Sequence, residues 1–229
     1  MSRDGTTRWW WVRHAPVTIN KGCCYGQTDF PCDVADSARF ASLANRLPKE
    51  ALWVATPLKR THMTAAALVE AGLSTGLGGP HEIPGPDIVI EPDLIEQHFG
   101  KWQGVRYDEL ATRRGDEWHR FWLAPAHEVP PGGESFVALI QRVHTAILRL
   151  SESHRGRDIL AVTHGGTIRA ALAHAFNMHP EAAVRFEIDN VSITLIEHFE
   201  FADPAHAWKV AFTNYMPREI VVAHGGSRA

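Results

Sequence analysis

Two short apolar runs, far apart in the chain, each end in a histidine, and this pairing limits what the sequence can fold into. The first run, Trp9-Trp10-Trp11-Val12, stops at Arg13-His14 and is followed by Ala15-Pro16. The second, Ile159-Leu160-Ala161-Val162, stops at Thr163-His164-Gly165-Gly166. Aromatic and β-branched runs of this length, bounded by breakers, read as short buried strands. In an α/β protein ligands bind outside the C-terminal ends of such strands, so both histidines are expected at the mouth of one crevice.

The rest of the chain alternates in the same way. A helix is expected from a cap at Asp33 to Leu47, stopped by Pro48, then a strand over Leu52–Ala55 and a helix from Lys59 through Ala71, closed by Gly72. Residues 72–86, rich in Gly and Pro, are expected to form a mobile surface loop before a strand at Asp87–Ile90. Tyr107–Trp122 suggests one or two short helices. Glu134–Ser153 carries Phe136, Leu139, Ile140, Val143, Ile147 and Leu150 at helical spacing, the clearest amphipathic pattern in the chain. A helix should run from Gly166 to Phe176, and the alternating segments Val191–Glu200 and Trp208–Tyr215 read as antiparallel strands. Strands separated by helices predict an α/β fold, a three-layer α/β/α sandwich with a mixed, mostly parallel central sheet.

At 229 residues the chain suits a single domain, which at that size buries roughly 70–75% of its unfolded surface. No second domain and no repeat is visible; residues 217–229, with a second His-Gly-Gly at His224, are expected to be a flexible, idle tail. A net charge of −3 provides no bulk basic field, so nucleic acid is not an expected partner, and Trp9, Trp10 and Trp11 are expected as core or crevice wall. Cys23, Cys24 and Cys32 are odd in number and poorly spaced for zinc, so reduced thiols and no metal are expected. The first residues lack an apolar signal core and no run approaches 18 apolar residues, which predicts a soluble, cytoplasmic protein with no membrane partner. The oligomeric state stays open; the edge of a terminal strand could pair two copies.

Chemistry gathers at the ends of four elements. Arg13 precedes His14, Arg60 follows the second strand, Glu96 stands ahead of a Gly-rich turn, and glycines opening a helix follow His164. Two guanidinium groups, two imidazoles, one carboxylate and free N–H groups at a helix start suit a phosphoryl group with a proton donor beside it. The long loop of residues 15–32 is expected to be functional.

These residues match a known pattern in order. Arg13-His14-Ala15 resembles the Arg-His-Gly signature of the histidine phosphatase superfamily, which includes cofactor-dependent phosphoglycerate mutases and many small-molecule phosphatases. Thr56-Pro57-Leu58-Lys59-Arg60-Thr61, the acid segment Leu94 to Gly104, and Val162-Thr163-His164-Gly165-Gly166 are similar to three further motifs of that family. Asn20 stands where its first loop has a phosphate-binding Asn, and Pro131-Gly132-Gly133-Glu134-Ser135 matches a recurrent helix start. The resemblance implies a cofactor-free phosphohistidine mechanism acting on a small-molecule phosphate ester. His14 would be the nucleophile, Glu96 the acid and base, and Arg13, Arg60 and His164 the catalytic groups around the phosphoryl oxygens. Asn20 and Gly165 would bind substrate.

The departures bear on substrate. Ala15 replaces a glycine, Pro16 and Val17 replace a polar pair, and Gln103 stands where many members have Glu. Mutases of the family carry an Arg-Arg pair after a Trp, whereas Trp122 is followed by Leu123-Ala124. The loop Cys24–Asp29 looks more like the α-ribazole phosphatase branch, so a metal-independent phosphomonoesterase is expected. A phosphoglycerate mutase-like transferase and a catalytically weak phosphate-ester binding protein, with His14 misplaced by Ala15-Pro16, are the alternatives. His62 is expected at the surface or behind the site, with contact to the site as the alternative, Arg113-Arg114 at an exposed helix end or as a lid over an anionic substrate, and His98 either in the pocket or bracing the turn.

Overall fold

The pleat of the first strand assigns the two faces of the sheet. In the computed structural model, which describes residues 5–73, 88–113, 115–200, 202–203 and 206–217, strand β1 covers Thr6–Arg13. Successive side chains of a strand point to opposite faces. Trp9 and Trp11 are accordingly buried on one face, stacked with ring centroids 4.8 Å apart, while Val12 is buried on the other. The indole N–H of Trp9 donates to the Ser151 hydroxyl at 2.9 Å, so even the polar atom of that ring is satisfied by the covering helix.

Strands β2 (Leu52–Ala55), β3 (Ile88–Ile90), β4 (Asp158–Thr163), β5 (Ile193–Phe199) and β6 (Trp208–Tyr215) complete one six-stranded sheet in the order β3-β2-β4-β1-β5-β6. β3, β2, β4 and β1 run parallel, β5 runs antiparallel to β1 and β6 antiparallel to β5, so the sheet is mixed and mostly parallel, as expected. Helices α1 (Ser37–Arg46) and α2 (Lys59–Glu70) cover the Val12 face with Phe40, Leu43 and Leu68. The two short helices α3 (Tyr107–Arg113) and α4 (Gly115–Leu123) fall in the expected window. Helices α5 (Phe136–Ser153) and α6 (Gly165–Ala175), joined by the four-residue α7 (Pro180–Ala183), cover the tryptophan face. This is the expected three-layer sandwich.

Register places the chemistry. Arg13 pairs with Thr163 across β1 and β4, and the His14 N–H donates to the Thr163 carbonyl at 2.9 Å. Two parallel neighbours ending at the same level deliver His14 and His164 side by side, ring centroids 5.2 Å apart.

Some boundaries differ from expectation for local reasons. Helix α1 is capped by Asp36, which accepts from the Arg39 N–H at 3.0 Å, not by Asp33. The Asp33 carboxylate is spent on the Ala35 N–H in a turn one step earlier. Helix α5 starts two residues after Glu134, with the Ser135 hydroxyl as cap, and β5 starts at Ile193 because Val191 has φ near +60°, which no strand residue adopts. The loop expected over 72–86 lies mainly, and the tail from 218 with its second His-Gly-Gly entirely, outside the described residues. Among the described residues no helix is long and apolar enough to cross a membrane.

Candidate active site

His14 is held from three directions. Its Nδ1 lies 2.7 Å from the carbonyl of Ala15. A carbonyl only accepts, so Nδ1 carries the ring proton and Nε2 keeps its lone pair. The Ala15 N–H donates to the Thr64 hydroxyl at 2.9 Å, and the Asn190 side-chain amide donates to the His14 carbonyl at 2.8 Å. Ala15 has a negative φ, a conformation that any residue adopts, so the alanine in place of glycine does not displace His14. Beside it, the Val191 N–H donates to the Arg13 carbonyl at 3.0 Å while Val191 itself has φ near +60°. That is a strained state for a β-branched residue, of order 1–3 kcal/mol, kept where the surroundings over-determine it.

His164 and Arg60 form the second part of the floor, and both side chains are fully buried. Arg60 Nε donates to His164 Nδ1 at 3.3 Å. His164 Nδ1 therefore accepts, which puts its proton on Nε2, 2.9 Å from the Thr56 hydroxyl. The two terminal nitrogens of Arg60 donate to the Thr28 and Gly26 carbonyls at 2.7 and 2.6 Å, and its guanidinium lies 5.1 Å over the Tyr25 ring. Burial, followed by the Arg60 charge, pushes His14 down to about 3, with Arg13 adding to the shift and the Ala15 carbonyl opposing it. Burial, followed by His14 and the guanidinium groups, holds His164 well below its ordinary value. Both imidazoles are neutral at pH 7.

Glu96 is placed by a scaffold that no local pattern announces. The carbonyls of Leu94 and Ile95 accept from the Thr163 and Thr167 hydroxyls, and Arg142 on α5 donates to the carbonyls of Asp93, Ile95 and Glu96 while pairing with Glu134 at 2.7 Å. The carboxylate then accepts from the Gln97 N–H at 3.0 Å and the Gly166 N–H at 3.3 Å. A Cβ at Gly166 would lie 2.3 Å from Glu96 Oε1, so this close approach requires the glycine.

A cavity of about 360 Å³ opens beside Arg13 and Glu96; His14, Arg60 and His164 are not among its lining residues. One part of its wall is Arg13, Glu96, Gly165, Gly166 and Arg169; the other includes Tyr25, Phe99, Trp102, Tyr107, Trp118 and Phe121. Arg13 donates to the Ile188 carbonyl at 2.5 Å but its buried Nε has no partner. Arg169, four residues after Gly165 on α6, donates through Nε to the Phe186 carbonyl at 2.6 Å. Burial lowers its pKa and Glu96 raises it, leaving it a cation. Arg13 Nε and Arg169 Nη1 each lie 3.5 Å from the position a Cβ on Gly165 would take, so two cations converge there.

Of the residues expected from sequence, Arg13, His14, Arg60, Glu96, His164 and Gly165 are brought together. Asn20 is not: its amide donates to the Cys23 carbonyl of its own loop at 3.2 Å. His98 braces the turn, its Nδ1 accepting from the Gly100 N–H at 3.1 Å, and His62 is half-buried on α2 outside the wall. The Arg113 and Arg114 side chains lie outside the described residues. Sequence reasoning missed Arg142, Arg169 and Asn190. Arg169 carried a usable signal, since a residue four after Gly165 shares its face of the helix. The three cysteines are free, and no group of three or more His, Cys, Asp or Glu among the described residues could hold a metal ion.

Comparison with known proteins agrees with this geometry. The chain is 31% identical over 164 residues to a metal-independent phosphoserine phosphatase of Arabidopsis thaliana, covering 69% of this chain and 64% of that one. It is 32% identical over 102 residues to an adenosylcobalamin/alpha-ribazole phosphatase of Escherichia coli, covering 44% and 50%. A bifunctional protein of Mycobacterium tuberculosis is 32% identical over 146 residues, 64% of this chain, and the match spans only about a third (36%) of that longer protein. Among solved structures, the alpha-ribazole phosphatase of Shigella flexneri superposes with a TM-score of 0.73 at 23% identity, over 91% of this chain and 96% of that one. A mycobacterial glucosyl-3-phosphoglycerate phosphatase gives 0.74 at 23% identity, over 91% and 99%. At those identities the likeness is one of fold. The pattern that defines branch 1 of the histidine phosphatase superfamily matches residues 9–210, and the chain belongs to that family.

Proposed function

We propose that the chain is a phosphomonoesterase that hydrolyses a small phosphate ester through a phosphohistidine on His14 and needs no metal. The observation that carries this reading is the neutral, buried His14, whose proton is fixed on Nδ1 by a carbonyl so that the Nε2 lone pair is free beside buried cations. Nε2 attacks phosphorus, the P–O ester bond breaks, and the leaving oxygen takes a proton from Glu96. In the second half Glu96 takes a proton from water, the water oxygen attacks phosphorus, and the P–N bond returns its electron pair to Nε2. Arg13 and Arg60 balance charge on the equatorial oxygens, the preorganised electrostatics on which phosphoryl transfer depends.

The geometry refines two roles. Each terminal nitrogen of Arg60 gives one N–H to the Gly26 or Thr28 carbonyl and keeps a second for a phosphoryl oxygen, so the loop holds the guanidinium in place for substrate. Both nitrogens of His164 are engaged, by Arg60 and Thr56, so His164 acts by positioning Arg60. Gly165 offers the open start of α6, and Asn20 reaches substrate once its loop gives up the Cys23 carbonyl. Within this activity α-ribazole phosphate is the first metabolite to screen, because the Cys24–Asp29 loop resembles that branch. The test is phosphate release from an aryl phosphate in excess EDTA. Turnover is expected to survive chelation and to vanish in His14→Ala; turnover that persists in His14→Ala overturns the phosphohistidine.

A further inference from the structure

The second part of the cavity wall is a connected cage of rings. Trp102 meets Trp118 at 5.4 Å and Phe121 at 5.0 Å, both edge to face; Phe99 meets Phe121 at 6.4 Å, and Tyr107 meets Trp118 at 6.3 Å. Tyr25 carries the ring surface back to Arg60. The buried indole N–H of Trp102 has no partner, but other polar groups of this part are spent. The Cys24 thiol and Tyr107 phenol bond each other, and burial pushes the thiol up to about 12 and the phenol up as well, so both stay neutral. The Gln97 amide donates to the Glu134 carbonyl at 2.9 Å. Arg13, Glu96 and Arg169 are the charged residues of the whole wall among the described residues, and all three belong to the other part.

We infer that the ring cage selects the leaving group, and that the leaving group carries a flat aromatic or heteroaromatic body and is not a bare sugar, a glycerate or an amino acid. The inference rests on the phosphatase reading and deepens it. Glu96 delivers its proton to the leaving oxygen, so the body of the leaving group lies beyond Glu96, in the same cavity as the rings. A polyhydroxylated or zwitterionic body entering there gives up water and finds no countercharge among the rings and little beyond the single unpartnered indole N–H of Trp102 to replace its lost hydrogen bonds. A flat ring instead gains offset and edge contacts with Trp118, Phe121 and Tyr107 and loses little hydration. A cavity of about 360 Å³ falls within the range of pockets that enclose such ligands, about 300–1,000 Å³.

The test compares esters whose alcohols are of similar acidity, so that intrinsic reactivity does not decide the outcome. For 2-phenylethyl and 2-(naphthyl)ethyl phosphate, kcat/KM is expected to exceed that for glycerol 1-phosphate and phosphoserine by about tenfold or more, mainly through KM, an advantage of the size two or three ring contacts supply. Trp118→Ala should remove most of that preference and leave product inhibition by inorganic phosphate within about twofold, since one ring contact lies apart from the phosphoryl site. Equal or better turnover of glycerol phosphate or phosphoserine by the wild-type protein overturns the inference without any variant. Calorimetric binding of 2-phenylethylphosphonate against 3-aminopropylphosphonate separates the two layers of the proposal. Preferential binding of the aromatic phosphonate with no ester turned over keeps the aromatic site and sinks the phosphatase; turnover with no aromatic preference does the reverse.

Discussion

At His14 and His164 placement is made by directed bonds: the Ala15 carbonyl, Thr56 and Arg60 reach the two imidazoles, and Thr64 and Asn190 hold the backbone of Ala15 and His14. Trp102, Trp118 and Phe121 meet one another through ring faces and edges. Directed bonds fix a nucleophile to within the few tenths of an ångström that in-line attack requires, and they fail sharply when one partner is lost. Ring packing has no such threshold. It tolerates change in steps of a contact, which suits the part of a site that distinguishes one leaving group from another. The catalytic floor should therefore break all at once, and the ring cage gradually.

The largest effect is expected where the floor loses its nucleophile. His14→Ala should lower kcat by at least about 10³-fold, the scale seen when a covalent nucleophile is removed. Binding of an aromatic phosphonate should stay within a few-fold, because the cage is intact. Rapid-quench assays for an acid-labile phosphoprotein check the same point: labelled wild type, unlabelled variant. If the variant loses phosphonate binding as steeply as turnover, floor and cage are not separable.

Glu96→Gln comes next, at about 10²–10⁴-fold, the usual range for one general acid. Glu96 accepts from two backbone N–H groups, of Gln97 and Gly166, so an amide must turn its NH₂ toward one of them. The defect should be greatest for esters of alkyl alcohols, which leave only when protonated, and smallest for nitrophenyl phosphate. An equal defect across both classes would remove Glu96 as the proton donor.

The same division explains what the sequence made legible. The two histidine strands, α2, α5 and α6 could be read locally, because buried strands and amphipathic helices write their own periodicity and the chemistry sits at their ends. Arg142 and Asn190 could not, since nothing near either residue in the chain says that it will reach Glu96 or His14. The cap of α1 shows a finer limit. Asp33 and Asp36 have equal capping chemistry, and what separates them is an aspartate turn at Asp33 that depends on where the preceding loop returns, its N–H donating to the Pro16 carbonyl. Asn20 held its place in the motif while its amide went to its own loop. The cage was only half visible: the rings could be counted, but their meeting depends on α3, α4 and the turn at Gly100 packing together.

Acid should act on the floor and spare the cage. Burial holds His14 at about 3 and His174, on α6, at about 4, and holds His164 well below its ordinary value, whereas in the unfolded chain each titrates near 6.5. Below that pH the unfolded chain takes up protons that the folded chain refuses. Stability from these groups is thus fully present above about pH 6.5 and drains as pH falls toward 3–4, by up to roughly 1.4 kcal/mol per pH unit per group, about tenfold in the folding constant. Urea unfolding at pH 7.5, 6 and 5 measures the slope. His174→Asn, away from the site, should make it shallower by one group; an unchanged slope would mean that His174 titrates normally in the fold. Cys24 and Tyr107 in the cage are both shifted upward and stay neutral throughout this range.

Gln103 lies where the two regions meet, and it should give the smallest and most informative effect. Its side-chain oxygen accepts from the Gln27 N–H at 2.9 Å and from the Phe99 N–H at 3.2 Å. The first bond steadies the loop whose Gly26 and Thr28 carbonyls hold Arg60; the second steadies a ring of the cage. Gln103→Ala leaves both N–H groups without that acceptor, at about 1 kcal/mol each where water cannot reach them, so KM should rise several-fold for aromatic esters and inhibition by inorganic phosphate should weaken in parallel. Gln103→Glu keeps an oxygen in the same place and should change either constant by no more than about twofold, since the acceptor count is unchanged. A Gln103→Ala variant that weakens only the aromatic esters would show that the loop holds Arg60 without help, and would make the floor independent of its neighbour.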